Sequence, residues 1–213
     1  MHVYLLPGIA CDHHLFDRID LHGFDVVKLD WPRFKKGCSL ADIAKDLLPL
    51  VDITQPHVLA GVSMGGMVAQ ELAVLTNPLK VVLISTWTHP REWPWFVRLG
   101  ARTGAAALIN GTTMRLSWPV KRVLGSRDAA TDRFLMDMAW KEGPEQIRRG
   151  ADAVLHWKGS SWTGPTVRIH GGHDALMPIG NLTADHVIAD GTHTMVWGQA
   201  QAVSAALRTT LTT

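Results

Sequence analysis

The sequence predicts an α/β fold built on a doubly wound, mainly parallel sheet of six strands, interrupted by one helical insertion. Three observations carry that expectation. Short runs rich in Val, Ile and Leu alternate with longer stretches of helical length, the pattern of parallel strands covered on both faces by crossover helices. The alternation stops between Thr88 and Ser161, where no β-rich run occurs. At 213 residues the chain is long enough to bury one core efficiently and short enough not to need two.

The six strands are expected at Val3–Leu6, Asp25–Leu29, His57–Leu59, Lys80–Ile84, Thr166–Ile169 and His186–Ala189. The segments between the first four are long enough to hold crossover helices. Within the interruption, Asn110-Gly111, Gly125-Ser126, Gly143-Pro144 and Gly159 cut the chain into pieces of helical length. The expected organisation is one domain over residues 1–213, with a core of 1–87 and 162–213 and a helical lid of 88–161. Trp93, Trp95, Trp118, Trp140 and Trp157 lie in that lid, and Trp87 and Trp162 flank it. Rings in such number either pack the lid onto the sheet or line a pocket. Between residues 87 and 162 there are 12 Lys and Arg against 7 Asp and Glu, a net of +5 in a chain whose total is +2.

Composition narrows the function classes. A hydrophobic content of 46% and a net charge of +2 describe a folded domain without the basic footprint of a nucleic-acid binder. Cys11 and Cys38 are the only cysteines; they form no Cys-x-x-Cys pair and read as reduced thiols of a cytoplasmic protein. The apolar opening Val3–Ile9 follows no basic segment and is too short to span a bilayer, so neither export nor a membrane partner is expected.

The motif that carries chemistry is Gly61-Val62-Ser63-Met64-Gly65-Gly66, placed directly after the strand-like His57–Leu59 and before the helix-like Met67–Leu75. A serine on a sharp strand-to-helix turn sits in a strained conformation, and glycines two positions either side prevent collision with the neighbouring strand and helix. The turn is expected to push the Ser63 hydroxyl into solvent. It also sets Ser63 at a helix N-terminus, where unpaired amides favour negative charge, so the Met64 N–H is a candidate oxyanion donor.

With these residues the chain resembles the α/β-hydrolase superfamily along almost its whole length, particularly the small lid-bearing carboxylesterases similar to pimeloyl-carrier-protein methyl esterase. Leu5-Leu6-Pro7-Gly8-Ile9-Ala10 stands where that family has its oxyanion loop, with Pro7 at the usual histidine position. The resemblance makes the Ile9 N–H the second oxyanion donor. His170-Gly171-Gly172-His173-Asp174 is similar to the loop that supplies the family's acid, which implies Asp174. Gly191-Thr192-His193-Thr194-Met195 resembles the loop that delivers its histidine, which implies His193. The order Ser63, Asp174, His193 is the one this fold uses, and the sheet would lack the two N-terminal strands of larger members.

The resemblance implies a serine hydrolase acting on esters, or thioesters, of small to medium acyl groups through an acyl-Ser63 intermediate, without cofactor or metal. A catalytically silent binding or scaffold protein of the same fold, and a lyase or C–C hydrolase using the same residues, remain open. Trp87, Trp93 and His13 are expected along the substrate pocket. The basic lid suggests an ester whose acyl group carries a carboxylate or rides on an anionic partner. Eleven histidines invite a metal site, and His170-x-x-His173-Asp174 is its best case, but no second ligand cluster has a recognised spacing. Cys11 reads as a half-buried thiol rather than a nucleophile, Asp128 as an early-turn helix residue, and His186 as a strand residue.

Overall fold

The computed structural model describes residues 1–116 and 129–212. Six strands, β1 (His2–Leu6), β2 (Asp25–Lys28), β3 (His57–Val62), β4 (Lys80–Ile84), β5 (Thr166–Gly171) and β6 (His186–Ile188), form one sheet in the order β2-β1-β3-β4-β5-β6. Every pairing is parallel. The order reverses direction between β1 and β3, so the loops after those two strands diverge and leave a crevice at their carboxyl ends. Ser63 and the loop from Pro7 onward both lie there.

Strand alternation sorts the core into two layers. Tyr4, Leu6, Leu59, Val81 and Leu83 face α1 (Leu40–Leu47) and α2 (Met64–Thr76), whose Leu40, Ile43, Leu47, Met67, Val68 and Leu72 complete that layer. Val3, Leu5, Val58, Ala60, Val82 and Ile84 face the other way. They pack on Leu15, Phe16 and the C-terminal helix, through Val203 and Leu207. Each such side chain, fully buried, stabilises by roughly 1.5–3 kcal/mol. Helix ends are set locally: Ser39 and Asp42 form a reciprocal capping box on α1, and Asn77 closes α2 in the left-handed conformation.

Two strands run two or three residues past their expected ends, and three other strand boundaries shift by one residue. β3 runs on through Ala60-Gly61-Val62 and β5 through His170-Gly171, because glycines that look like strand breakers are tolerated where backbones approach closely. The β1–β2 connection holds a 3-10 turn, His13–Phe16, and no α-helix. Asp12 caps that turn by accepting the His14 N–H, which sends Leu15 and Phe16 into the core. Between β4 and β5 the described residues contain no strand; they hold α3 (Trp95–Thr103), helical residues 111–116, α4 (Ala129–Glu142) and α5 (Pro144–His156). Trp118, Gly125-Ser126 and Asp128 lie outside the described residues. After β6 come α6 (Met195–Gly198) and α7 (Ala200–Thr212). Among the described residues no helix is long and apolar enough to cross a membrane.

Candidate active site

The turn after β3 is as constrained as its spelling suggests. Ser63 has φ 54° and ψ −124°, a conformation that costs a non-glycine residue about 1–3 kcal/mol and persists only where its surroundings enforce it. The enforcing contacts come from neighbouring backbone and from the Thr86 side chain. A Cβ on Gly61 would lie 2.2 Å from the Gly65 carbonyl oxygen, and one on Gly65 would lie 2.2 Å from that of Pro7. A Cβ on Gly66 would meet the Thr86 methyl at 2.4 Å. Ser63 N–H donates to the Ile84 carbonyl, and the Ser63 carbonyl accepts from Gly66 N–H and, at 2.6 Å, from the buried Thr86 hydroxyl. Val62 and Ile84 are register partners; the next residue on each strand, Ser63 and Ser85, has positive φ. The two chains therefore bend together, and the bend brings Thr86 under the Ser63 carbonyl.

Two glycines bring the remaining loops together. A Cβ on Gly171, at the end of β5, would stand 2.4 Å from the Gly191 carbonyl oxygen, and His173 N–H donates to that same oxygen. The acid loop and the histidine loop thus touch through bare backbone. As a result His193 Nδ1 lies 2.9 Å from Asp174 Oδ2, and His193 Nε2 lies 3.1 Å from Ser63 Oγ. The other carboxylate oxygen of Asp174 accepts from Leu176 N–H at 3.0 Å and Met177 N–H at 2.8 Å. Burial pushes the Asp174 carboxyl upward, but the neighbouring His193, with its hydrogen bond, and the Met177 N–H outweigh it and hold the group below its usual value. The compact interval of 19 residues between acid and histidine suffices because the two loops meet at Gly171 and Gly191, where no side chain holds them apart.

Ser63 is only 7% exposed, which corrects the expectation of a hydroxyl in open solvent. It opens instead into a cavity of about 380 Å³, near the lower end of small-molecule sites. Ile9, Cys11, Leu15 and Val196 line the floor around Ser63 and His193, while Ile109, Leu135, Ala139, Ile147 and Ala151 come from the helical segment. Asp132 is the carboxylate on the wall, and no Lys or Arg of the described residues lines it. Met64 opens α2. Among the described residues no backbone acceptor takes the Met64 or Ile9 N–H; Ile9 lines the cavity beside Ser63, and Met64 is the residue that follows it.

None of Trp87, Trp93 and His13, the expected pocket residues, lines this cavity. Trp87 and Trp93 are buried together in the α1–α2 core layer, with ring centroids 6.1 Å apart, and Trp157 donates from its indole to Glu71 on α2. These three rings fasten the helical segment to the sheet. His13 lies against His14 with the rings tilted by 32° and bonds Asp30 through Nδ1, because the 3-10 turn points residues 13 and 14 outward. The pocket residue of that turn is Leu15, which only knowledge of the turn type reveals. Lys141 on α4 reaches Asp12 at 2.6 Å, so the helical segment is also tied to the loop carrying Ile9.

The histidine-rich acid loop does not gather ligands. His170 is buried, donates from Nε2 to the Met177 carbonyl, and is held below its usual pKa chiefly by burial; His173 faces Asp190 at the surface. Asp12, His13 and His14 have ligand atoms within 4.8 Å of one another, but the Lys141 ammonium already sits on Asp12 and His13 is engaged by Asp30. Cys11 borders the cavity, yet burial, reinforced by Asp12 and Glu142, pushes its thiol up to about 12. It is a poor source of thiolate.

The fold has many solved counterparts. A thermophilic esterase from Thermogutta terrifontis superposes with a TM-score of 0.80 at 21% identity, covering 99% of this chain and 89% of that one. A putative lipase from Acinetobacter baumannii gives 0.78 at 14% identity, covering 99% and 83%. The enol-lactonase of Burkholderia xenovorans gives 0.70 at 18% identity, covering 100% and 91%. No curated protein sequence matches the chain. The sequence does match the family model described as the alpha/beta hydrolase family over residues 3–206, and the chain belongs to that family.

Proposed function

We propose that this chain is a serine hydrolase that cleaves carboxylic esters, or thioesters, of neutral short to medium acyl groups. The observation that carries the reading is the continuous hydrogen-bonded series Asp174, His193, Ser63 ending at an apolar cavity. Serine is weakly nucleophilic at neutral pH, so His193 takes its proton through Nε2 as Oγ attacks the ester carbonyl. Asp174 accepts the Nδ1–H, which fixes the tautomer and stabilises the transient imidazolium. The Ile9 and Met64 amides receive the oxyanion; one such donor is typically worth about 3 kcal/mol. His193 returns the proton to the leaving alkoxide or thiolate, and water then hydrolyses acyl-Ser63 by the same steps in reverse order. The structural neighbours, with esterases, a putative lipase and an enol-lactonase among them, support ester chemistry. Two free cysteines are in keeping with a cytoplasmic setting.

Labelling with a fluorophosphonate probe and a series of p-nitrophenyl esters from acetate to decanoate test this reading. Folded protein that neither labels nor turns over any ester would instead be a silent binder; a lyase or C–C hydrolase would label and leave the esters intact. The wall predicts the acyl preference. Ala151 and Ile147 follow one another along α5 into the cavity, so Ala151→Leu is expected to cut decanoate hydrolysis about tenfold relative to acetate. An unchanged ratio would place the acyl chain elsewhere.

Thr86 enters as a positioning residue. Thr86→Val keeps the shape and deletes the hydroxyl bonded to the Ser63 carbonyl. It is expected to lower kcat about tenfold with KM little changed, the equivalent of one buried hydrogen bond. Thr86→Ser should restore the rate. Equal losses in both variants would indicate packing rather than the hydrogen bond.

A further inference from the structure

Four of the large apolar side chains left at the surface, two of them aromatic, fall in one short stretch. Trp95 is 75% exposed, Leu99 52% and Leu108 68%, with Phe96 beside them at 39%. α3 already buries an inward face, since Val97 and Ala101 pack against the core. Its other side is apolar as well. Trp95, Leu99 and Arg102 follow the i, i+4, i+7 spacing of one helix row, with Phe96 flanking it on one side and Arg98 on the other. Gly104, at φ 65°, ends α3 and turns the chain back, so that the turn Ala105–Leu108 packs on the helix and carries Leu108. The next residue, Ile109, lines the cavity.

Charge on this face has one sign. α3 contains no acidic residue, Arg98 and Arg102 are exposed, and among the described residues neither pairs with a carboxylate. Arg98 instead donates to the Arg91 carbonyl. A helix face in open water has no reason to present Trp, Phe and Leu together, and the two arginines give this face a positive edge. Both are satisfied at a boundary that is apolar on one side and negatively charged at its edge. There the rings and Leu enter the acyl region and the guanidinium groups meet phosphates.

We propose that the outward face of α3, continued by Leu108, docks on an anionic phospholipid surface. The contact is peripheral, with the helix lying in the headgroup plane. It replaces the expectation of no membrane partner, which rested on the lack of a spanning segment; an interfacial helix needs none. Docking requires no catalysis, so it stands or falls independently of the hydrolase reading.

Co-sedimentation of the whole chain with vesicles of phosphatidylcholine, or of phosphatidylcholine with about one-third phosphatidylglycerol, tests the proposal. The protein is expected to pellet with the anionic vesicles and to be released by about 1 M salt, where the screening length falls to about 3 Å. Arg98→Gln with Arg102→Gln should lower the anionic partition about fivefold per charge removed, and Trp95→Ser with Leu99→Ser should lower it on either lipid. Circular dichroism and hydrolysis of a soluble ester are expected to be unchanged in both variants. Should a variant unfold, the lipid-charge and salt dependence of the wild type still decides. Folded protein that fails to pellet with anionic vesicles, or that pellets equally after both double substitutions, overturns the proposal. So does self-association in sedimentation velocity that Trp95→Ser abolishes, in protein that ignores vesicles, because the face would then join two copies of the chain.

Discussion

Ser63→Ala is expected to lower kcat on p-nitrophenyl butyrate by three or more orders of magnitude and to abolish fluorophosphonate labelling. Alanine removes the attacking oxygen and little else. Ser63 is held in its unusual conformation by Ile84, Gly66 and Thr86 through its main chain, so the turn survives the loss of Oγ, and KM, where it reports binding, should stay within a few-fold. The residual rate measures what the two oxyanion amides and the cavity contribute alone, which for such sites is about 10³–10⁴ over water. A variant that folds and retains a tenth of the wild-type rate would remove Ser63 from the reaction.

The sheet was legible because its signals are local. Val3 to Leu6 and Lys80 to Ile84 are apolar on both faces, as strands buried from two sides must be. The ends of β3 and β5 were not, since Gly61 and Gly171 read as breaks in a propensity pattern. Their actual role appears only when the partner backbone is in place 2.2–2.4 Å from a would-be Cβ. The first crossover is a similar case: its length admits a helix, and what decides for a 3-10 turn is the Asp12 cap together with burial of Leu15 and Phe16.

At the site, residues whose chemistry depends on type were legible, and residues whose role depends on direction were not. Ser63, Asp174 and His193 fall in loops that follow strands, and parallel topology carries all such loops to one edge; the structure places His193 within hydrogen-bond reach of both Asp174 and Ser63. A tryptophan gives no such clue. Trp87 and Trp93 satisfy the composition of a pocket wall equally well when they face the α2 layer, as they do. The true wall is made of Leu135, Ala139, Ile147 and Ala151, ordinary helix formers that only the packing of α4 and α5 distinguishes from core. Among the described residues, the Lys and Arg of 87–162 likewise lie outside the cavity, two of them on α3 and one in the Lys141–Asp12 pair.

Asp174→Asn is expected to lower kcat about 10⁴-fold with the loop intact, through the tautomer rather than the fold. The side chain is fully buried. Asparagine matches its shape, and its carbonyl oxygen can keep the Leu176 and Met177 amides. That choice turns the NH₂ toward His193 Nδ1, which must then accept, and the ring proton moves to Nε2, where Ser63 needs a base. The same substitution has a signature in stability. Because the folded Asp174 carboxyl lies below its ordinary value, the unfolded chain binds more protons between the two values, and stability rises with pH across that window. The wild type should therefore lose stability as pH falls below about 4, through the folded value, and the Asn variant should lose less over the same range. Thermal melts of both proteins between about pH 3 and 6, read beside the pH profile of kcat, separate the two effects. Parallel acid limbs in the melts would show that the His193 partner is not held as an anion, and a rate within tenfold of wild type would show that it does not set the ring.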